Sequence, residues 1–67
     1  MKKNVILKAR LFISGMTQAE LARRTGIQAP DISRGIRGRL SFTRDEKRRI
    51  AETLKRDLED LFPEERP

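Results

Sequence analysis

Met16-Thr17-Gln18-Ala19-Glu20-Leu21-Ala22-Arg23-Arg24-Thr25-Gly26-Ile27 is the stretch that decides how this chain folds. Thr17 and Glu20 have the spacing of a capping box, in which the hydroxyl accepts from the amide three residues on and the carboxylate reaches back. They predict a helix that opens just after Thr17. Leu21 and small Ala22 supply its apolar face. Gly26 falls where a left-handed residue is needed after the last turn. Beyond Gln28 a third helix begins with Ala29-Pro30-Asp31-Ile32-Ser33-Arg34. Pro30 suits a first turn, where a missing amide has no partner to lose. Ile32 and Ile36, four apart, share one face. Gly35 and Gly38 end this helix or loosen its last turn. Two helices meeting steeply across so short a turn must approach closely. Ala22 permits the approach, and Gly26 permits a turn with φ above zero. Leu21, Ile27 and Ile32 fill the angle from inside, which leaves the opposite face of the third helix pointing out.

On either side of this corner the chain also reads as helix. Leu7 and Leu11 repeat at i and i+4 between Asn4 and Ser14, with Gly15 as a stop. Thr43 and Glu46 form a second capping box, followed by Ile50 and Leu54 on one face. A short fifth helix runs from Asp57 to Phe62, carries Leu58, Leu61 and Phe62, and stops at Pro63. The tail from about residue 63 is expected to fray. There is no alternating strand pattern, repeat or linker, so the expectation is one compact all-α domain of five helices over residues 1–67.

The 67 residues leave room for one small core, and a domain of this length buries only about 60% of the surface its unfolded chain exposes. Cysteine and histidine are both absent. That removes disulfides, thiolate metal sites, the commonest zinc ligand and the commonest general base together. Tyrosine and tryptophan are absent too. The four glycines are all accounted for by turns, so no phosphate-cradling loop is left. The acidic residues sit mainly on the last two helices, as caps and ion-pair partners. No enzyme, metal or cofactor is expected from this set. Sixteen Lys and Arg against ten Asp and Glu give a net charge of +6. Residues 1–44 hold ten basic and two acidic residues, a balance of +8, whereas residues 45–67 hold six and eight, a balance of −2. Positive charge gathered in one half points to a polyanionic partner. The start Met1-Lys2-Lys3-Asn4-Val5-Ile6-Leu7 is briefly like a signal peptide, but Lys8 ends the apolar run far too early. No stretch has the length of a membrane span. A cytoplasmic location is expected.

The Met16–Ile27 stretch resembles the opening of a helix-turn-helix of the phage Cro/repressor-type family. Its continuation Gln28-Ala29-Pro30-Asp31-Ile32-Ser33-Arg34 looks like that family's recognition helix. Arg49-Ile50-Ala51-Glu52-Thr53-Leu54 and Asp57-Leu58-Glu59-Asp60-Leu61-Phe62-Pro63 resemble its last two helices, so the likeness spans nearly the whole chain. It implies a small transcriptional regulator, a repressor above all, that reads double-stranded DNA in the major groove.

The resemblance implies a role for each outward residue. Gln28, Ala29, Pro30, Ser33 and Arg34 would meet base edges. Gln28 can pair with adenine and Arg34 can fork onto guanine, while Ala29 and Pro30 can touch a thymine methyl. Ser33 serves a base or a phosphate. Gln18, beside the free amides of the second helix, would hold a phosphate. Arg37, Arg39 and Arg44 would clamp the backbone, with Lys8 and Arg10 as weaker candidates. Asp31 reads as a dipole partner in the first helical turn.

Two departures stand out. Gly35 falls where the family usually has an apolar residue, so either Ile36 takes over that packing or the helix ends early. Lys55-Arg56 replaces the Leu-Gly turn that commonly precedes the last helix. A single recognition helix covers about one half-site, so a homodimer is expected, on DNA if not before. Leu54, Leu58, Leu61 and Phe62 offer apolar surface for it, and closing the monomer core would use the same residues. The rival reading is an antitoxin-like or adaptor module that binds protein through this fold.

Overall fold

The computed structural model describes residues 3–67. Met1 and Lys2, the first residues of the basic start, lie outside the described residues. Five α-helices follow one another: α1 (Val5–Ser14), α2 (Gln18–Thr25), α3 (Ala29–Ile36), α4 (Arg44–Leu54) and α5 (Leu58–Leu61). A turn of 3-10 helix, Pro63–Glu65, closes the chain, and there is no strand among the described residues. None of these helices is long and apolar enough to cross a membrane.

The caps explain where the helices begin. Thr43 forms the full box with Glu46, with bonds of 2.9 and 3.1 Å. Thr17 forms only half of one. Its Oγ1 accepts from the Glu20 amide at 3.1 Å. The Glu20 carboxylate turns instead to Arg24 at 2.9 Å and Arg23 at 3.6 Å. Two cations one turn away on the exposed face outcompete a single neutral amide. Asn4 does more than open α1. Its side chain accepts from the Leu7 amide at 2.9 Å and donates to the Leu61 carbonyl at 3.0 Å. Its own amide donates to Ile36 at 2.8 Å. One residue thus ties the start of α1 to the ends of α3 and α5.

α2 packs against both α3 and α4, and α1 lies across α3, α4 and α5. The core between them is Leu7, Leu11, Leu21, Ala22, Ile27, Ile32, Ile36, Phe42, Ile50, Ala51, Leu54, Leu61 and Phe62. Each large side chain fully buried contributes about 1.5–3 kcal/mol. Leu54, Leu61 and Phe62 belong to this core, and Leu58 is half-buried against it. The apolar surface expected there for a dimer is therefore spent inside the monomer.

The gap under Gly35 is filled from further along the chain. The Phe42 ring occupies the space a side chain at Gly35 would take. Ile36 is buried as well, so α3 continues one residue past Gly35 instead of ending early. Phe42 in turn meets Phe62 edge to face, with ring centroids 6.1 Å apart. Edge-to-face pairs of this kind add to what burial alone contributes.

The tail departs from the expected fraying. Lys47 is buried to 11% side-chain exposure and bonds Glu65 at 2.9 Å and Glu64 at 3.0 Å. Its ammonium also lies 5.6 Å from the centre of the Phe62 ring. Burial pulls the Lys47 pKa down, but the bonds to Glu65 and Glu64 outweigh it and hold it above the ordinary lysine value. Burial likewise pushes Glu64 up, while its backbone bond and Lys47 bring it below the usual glutamate value. A buried cation needs such partners, and the tail supplies them.

Candidate nucleic-acid interface

The corner between α2 and α3 is bonded throughout. Gly26 adopts φ 77°, ψ 8°, and its amide donates to Ala22 at 2.9 Å. Thr25 is buried; its hydroxyl donates to the Leu21 carbonyl at 2.8 Å and accepts from Ile27 at 3.3 Å. Arg49 reaches across from α4 and donates to the Thr25 carbonyl at 3.1 Å. Asp45 pairs with the same guanidinium. The last carbonyl of α2 thus faces a cation, which also complements the helix dipole. Sequence reasoning left Arg49 out because its partner lies on another helix.

Gln28 caps α3 with an extended backbone and makes no side-chain cap bond, so its amide group is left for other partners. Ile32, Gly35 and Ile36 form the buried side of α3. Their burial turns the opposite side out, and Pro30 and Arg34 occupy its middle. Gln28, Ala29, Pro30 and Arg34 are exposed, and Ser33 is half-buried on one flank. Asp31, on the other flank, sits 3.3 Å from the Arg34 guanidinium. It therefore holds an arginine in addition to its place in the first turn.

After α3 the chain turns through Arg37-Gly38-Arg39 under three backbone bonds. Arg37 donates to Ser33 at 3.1 Å, Gly38 to Gly35 at 3.2 Å and Arg39 to Arg34 at 2.8 Å. Both arginine side chains are exposed. With Lys3, Val5 and Lys8 of the N-terminal segment they border one groove beside Ile36. Lys8 is thus brought to Arg37 and Arg39, while Arg10 is half-buried. Gln18 is exposed at the first position of α2, where helix amides lack helical partners. Arg44 opens α4, and its guanidinium lies 3.5 Å from Glu65, so the tail already partners its charge.

Two helices joined across a left-handed glycine, the second buried on one side with Arg34 exposed on the other and Arg37 and Arg39 beyond its end, have the form of a helix-turn-helix domain. The chain belongs to the Cro/C1-type HTH DNA-binding domain family, whose model matches residues 7–63. It is thus a DNA-binding domain of a non-enzymatic family, and the five-helix all-α architecture agrees with the expectation from sequence. Comparison with curated proteins and with solved structures gave no match.

Proposed function

We propose that this chain is one domain that binds double-stranded DNA sequence-specifically and represses transcription by occupying an operator in the cytoplasm. One observation carries the reading: α3 buries Ile32, Gly35 and Ile36 and turns Gln28, Pro30 and Arg34 outward, with Arg37 and Arg39 beyond its end. A side chain row on such a helix fits a groove about 12 Å wide. Gln28 and Arg34 read adenine and guanine. Ala29 and Pro30 contact thymine methyls, and Ser33 meets a base or phosphate at the flank. Gln18, Arg37, Arg39 and Arg44 fix the register on phosphates. The body measures 29 × 24 × 20 Å and offers one recognition helix. Two half-sites about 34 Å apart therefore call for two copies.

Selection of duplexes from a random pool by the full chain, followed by titration at several salt concentrations, tests this. Affinity for the selected duplexes falls steeply with salt as arginine–phosphate contacts release counterions. Arg34→Ala relaxes preference at one base position and costs about 1–3 kcal/mol there, while Arg37→Ala weakens all sequences alike and lowers the salt slope by about 1. Equal affinity for selected and random duplexes would sink the sequence-specific reading.

A further inference from the structure

α1 carries apolar side chains on its outer side as well as its inner one. Leu7 and Leu11 face the core, while Val5 (65% exposed), Ile6 (42%), Phe12 (87%) and Ile13 (67%) face outward with Ala9 between them. Single exposed apolar residues are ordinary, but a contiguous apolar stripe on the outer side of a helix, flanked only by Lys8 and Arg10, marks a surface that something covers. The other candidate surface, around Leu54 and Phe62, is already inside the core.

We infer that a second copy of this chain covers the stripe, α1 pairing antiparallel with α1 about a two-fold axis through Ala9. The positions themselves support it. Residues 5, 6, 9, 12 and 13 are symmetric about 9, which an isologous contact between antiparallel helices requires. Val5 then meets Phe12 on one rim, Ile6 meets Ile13 on the other, and Ala9 meets Ala9. The smallest side chain sits on the axis, where helices approach most closely. Covering these residues on both copies removes on the order of 1,000 Å² from water, the lower bound for a specific interface.

Charge sets when this pairing forms. α1 carries Lys8 and Arg10 and no acidic residue. A two-fold axis returns each rim against its own copy, so Lys8 faces Lys8. Val5 and Lys8 border the groove that also holds Arg37 and Arg39. The Lys8 rim therefore lies beside the proposed phosphate contacts. On DNA the intervening phosphates neutralise it; in the free chain nothing does. The pairing is weak in solution and strengthened on DNA, a point that rests on the DNA reading above.

The absence of cysteine makes the test direct. Ala9→Cys places one thiol on the axis, and Glu52→Cys places one on the exposed side of α4 as a control. Both are exposed to oxidised glutathione with and without duplexes that the parent chain selects from a random pool. On DNA, Ala9→Cys forms disulfide-linked dimers about tenfold or more faster than the control, because pairing raises the effective concentration of its thiols. Replacing Phe12 and Ile13 together with serine leaves helix content unchanged and lowers the Hill coefficient from about 2 to about 1, with affinity for a single half-site kept. Equal cross-linking of the two cysteine variants, or an unchanged Hill coefficient, overturns the inference while leaving DNA binding intact. If the parent chain binds no duplex, sedimentation equilibrium of the free chain decides. A dimer lost on the double serine change supports the α1 pairing, and a monomer at every concentration overturns it.

Discussion

The two ends of α3 are held in different ways. Its front end is built from neighbours: Gly26 turns the chain, Thr25 bonds Ile27, and Pro30 sits in the first turn. Its rear end is built from a distance. The Ile36 carbonyl accepts from Asn4 at the start of the chain, and the Phe42 ring fills the space above Gly35. A helix start can be specified by residues adjacent in sequence, because caps and turns act locally. A helix end that contains glycine has no such specification. Its last turn is worth forming only because other elements pack on it, so helix propensity yields to tertiary contact.

The largest effect expected from this contrast is at Phe42. Phe42→Ala empties the space above Gly35 and costs about 3–5 kcal/mol, measured by urea unfolding. Gly35→Ala sharpens the point. Alone it forces a methyl against the ring and destabilises by about 1–3 kcal/mol. Combined with Phe42→Ala, the same methyl finds room, and the alanine gains about 1 kcal/mol of helix propensity. The change of sign is the signature of direct packing between the two positions. A Gly35→Ala variant as stable as the parent in both backgrounds would show that Phe42 does not shape the rear of α3.

A smaller loss is expected at the front. Gly26→Ala keeps every core contact but puts a Cβ on a backbone at φ 77°. That costs about 1–2 kcal/mol. Nothing else crowds the position, since the nearest atom to such a Cβ is Arg49 Nη1 at 3.8 Å. A loss as large as that of Phe42→Ala would break the comparison, because the front end would then depend on more than a local turn.

The same distinction decides what could be read before the structure was known. All five helices, the corner, and the outward set Gln28, Pro30 and Arg34 follow from caps, glycines and i, i+4 spacing. Those signals lie within a few residues of the features they specify. Phe42 gave no such signal: it stands in a loop, with no apolar partner at helical spacing, and only the folded chain brings it to Gly35. Lys47 reads as one more surface cation on α4 until Glu64 and Glu65 fold back onto it. The tail therefore looks free in sequence and is tied in structure. Glu20 shows the reverse error, since its capping-box spacing is sound but Arg23 and Arg24 claim the carboxylate. Leu54, Leu61 and Phe62 could have served a core or a dimer equally. In so small a domain, only the packing of α4 and α5 on α1 decides between them.

The smallest expected effect separates a turn that suits its residue from one that does not. Lys55 adopts φ 56°, ψ 45° and is the only non-glycine residue at positive φ among those described. Its amide bonds back to Glu52 at 3.2 Å, and the Arg56 amide bonds to Ala51 at 3.0 Å. The turn before α5 therefore has the geometry that Gly26 supplies before α3, but with a lysine held against its preference. Lys55→Gly relieves that conformation, while the freer unfolded chain takes back part of the gain. A net stabilisation of about 0.5 kcal/mol follows, a rise in Tm of about 2–4 °C in a domain this size. Lys55→Ala is the control, because it removes the same charge next to Arg56 and leaves the backbone where it was. If alanine raised Tm as far as glycine does, the gain would come from relieved charge repulsion. The lysine would then be no worse than glycine at turning the chain.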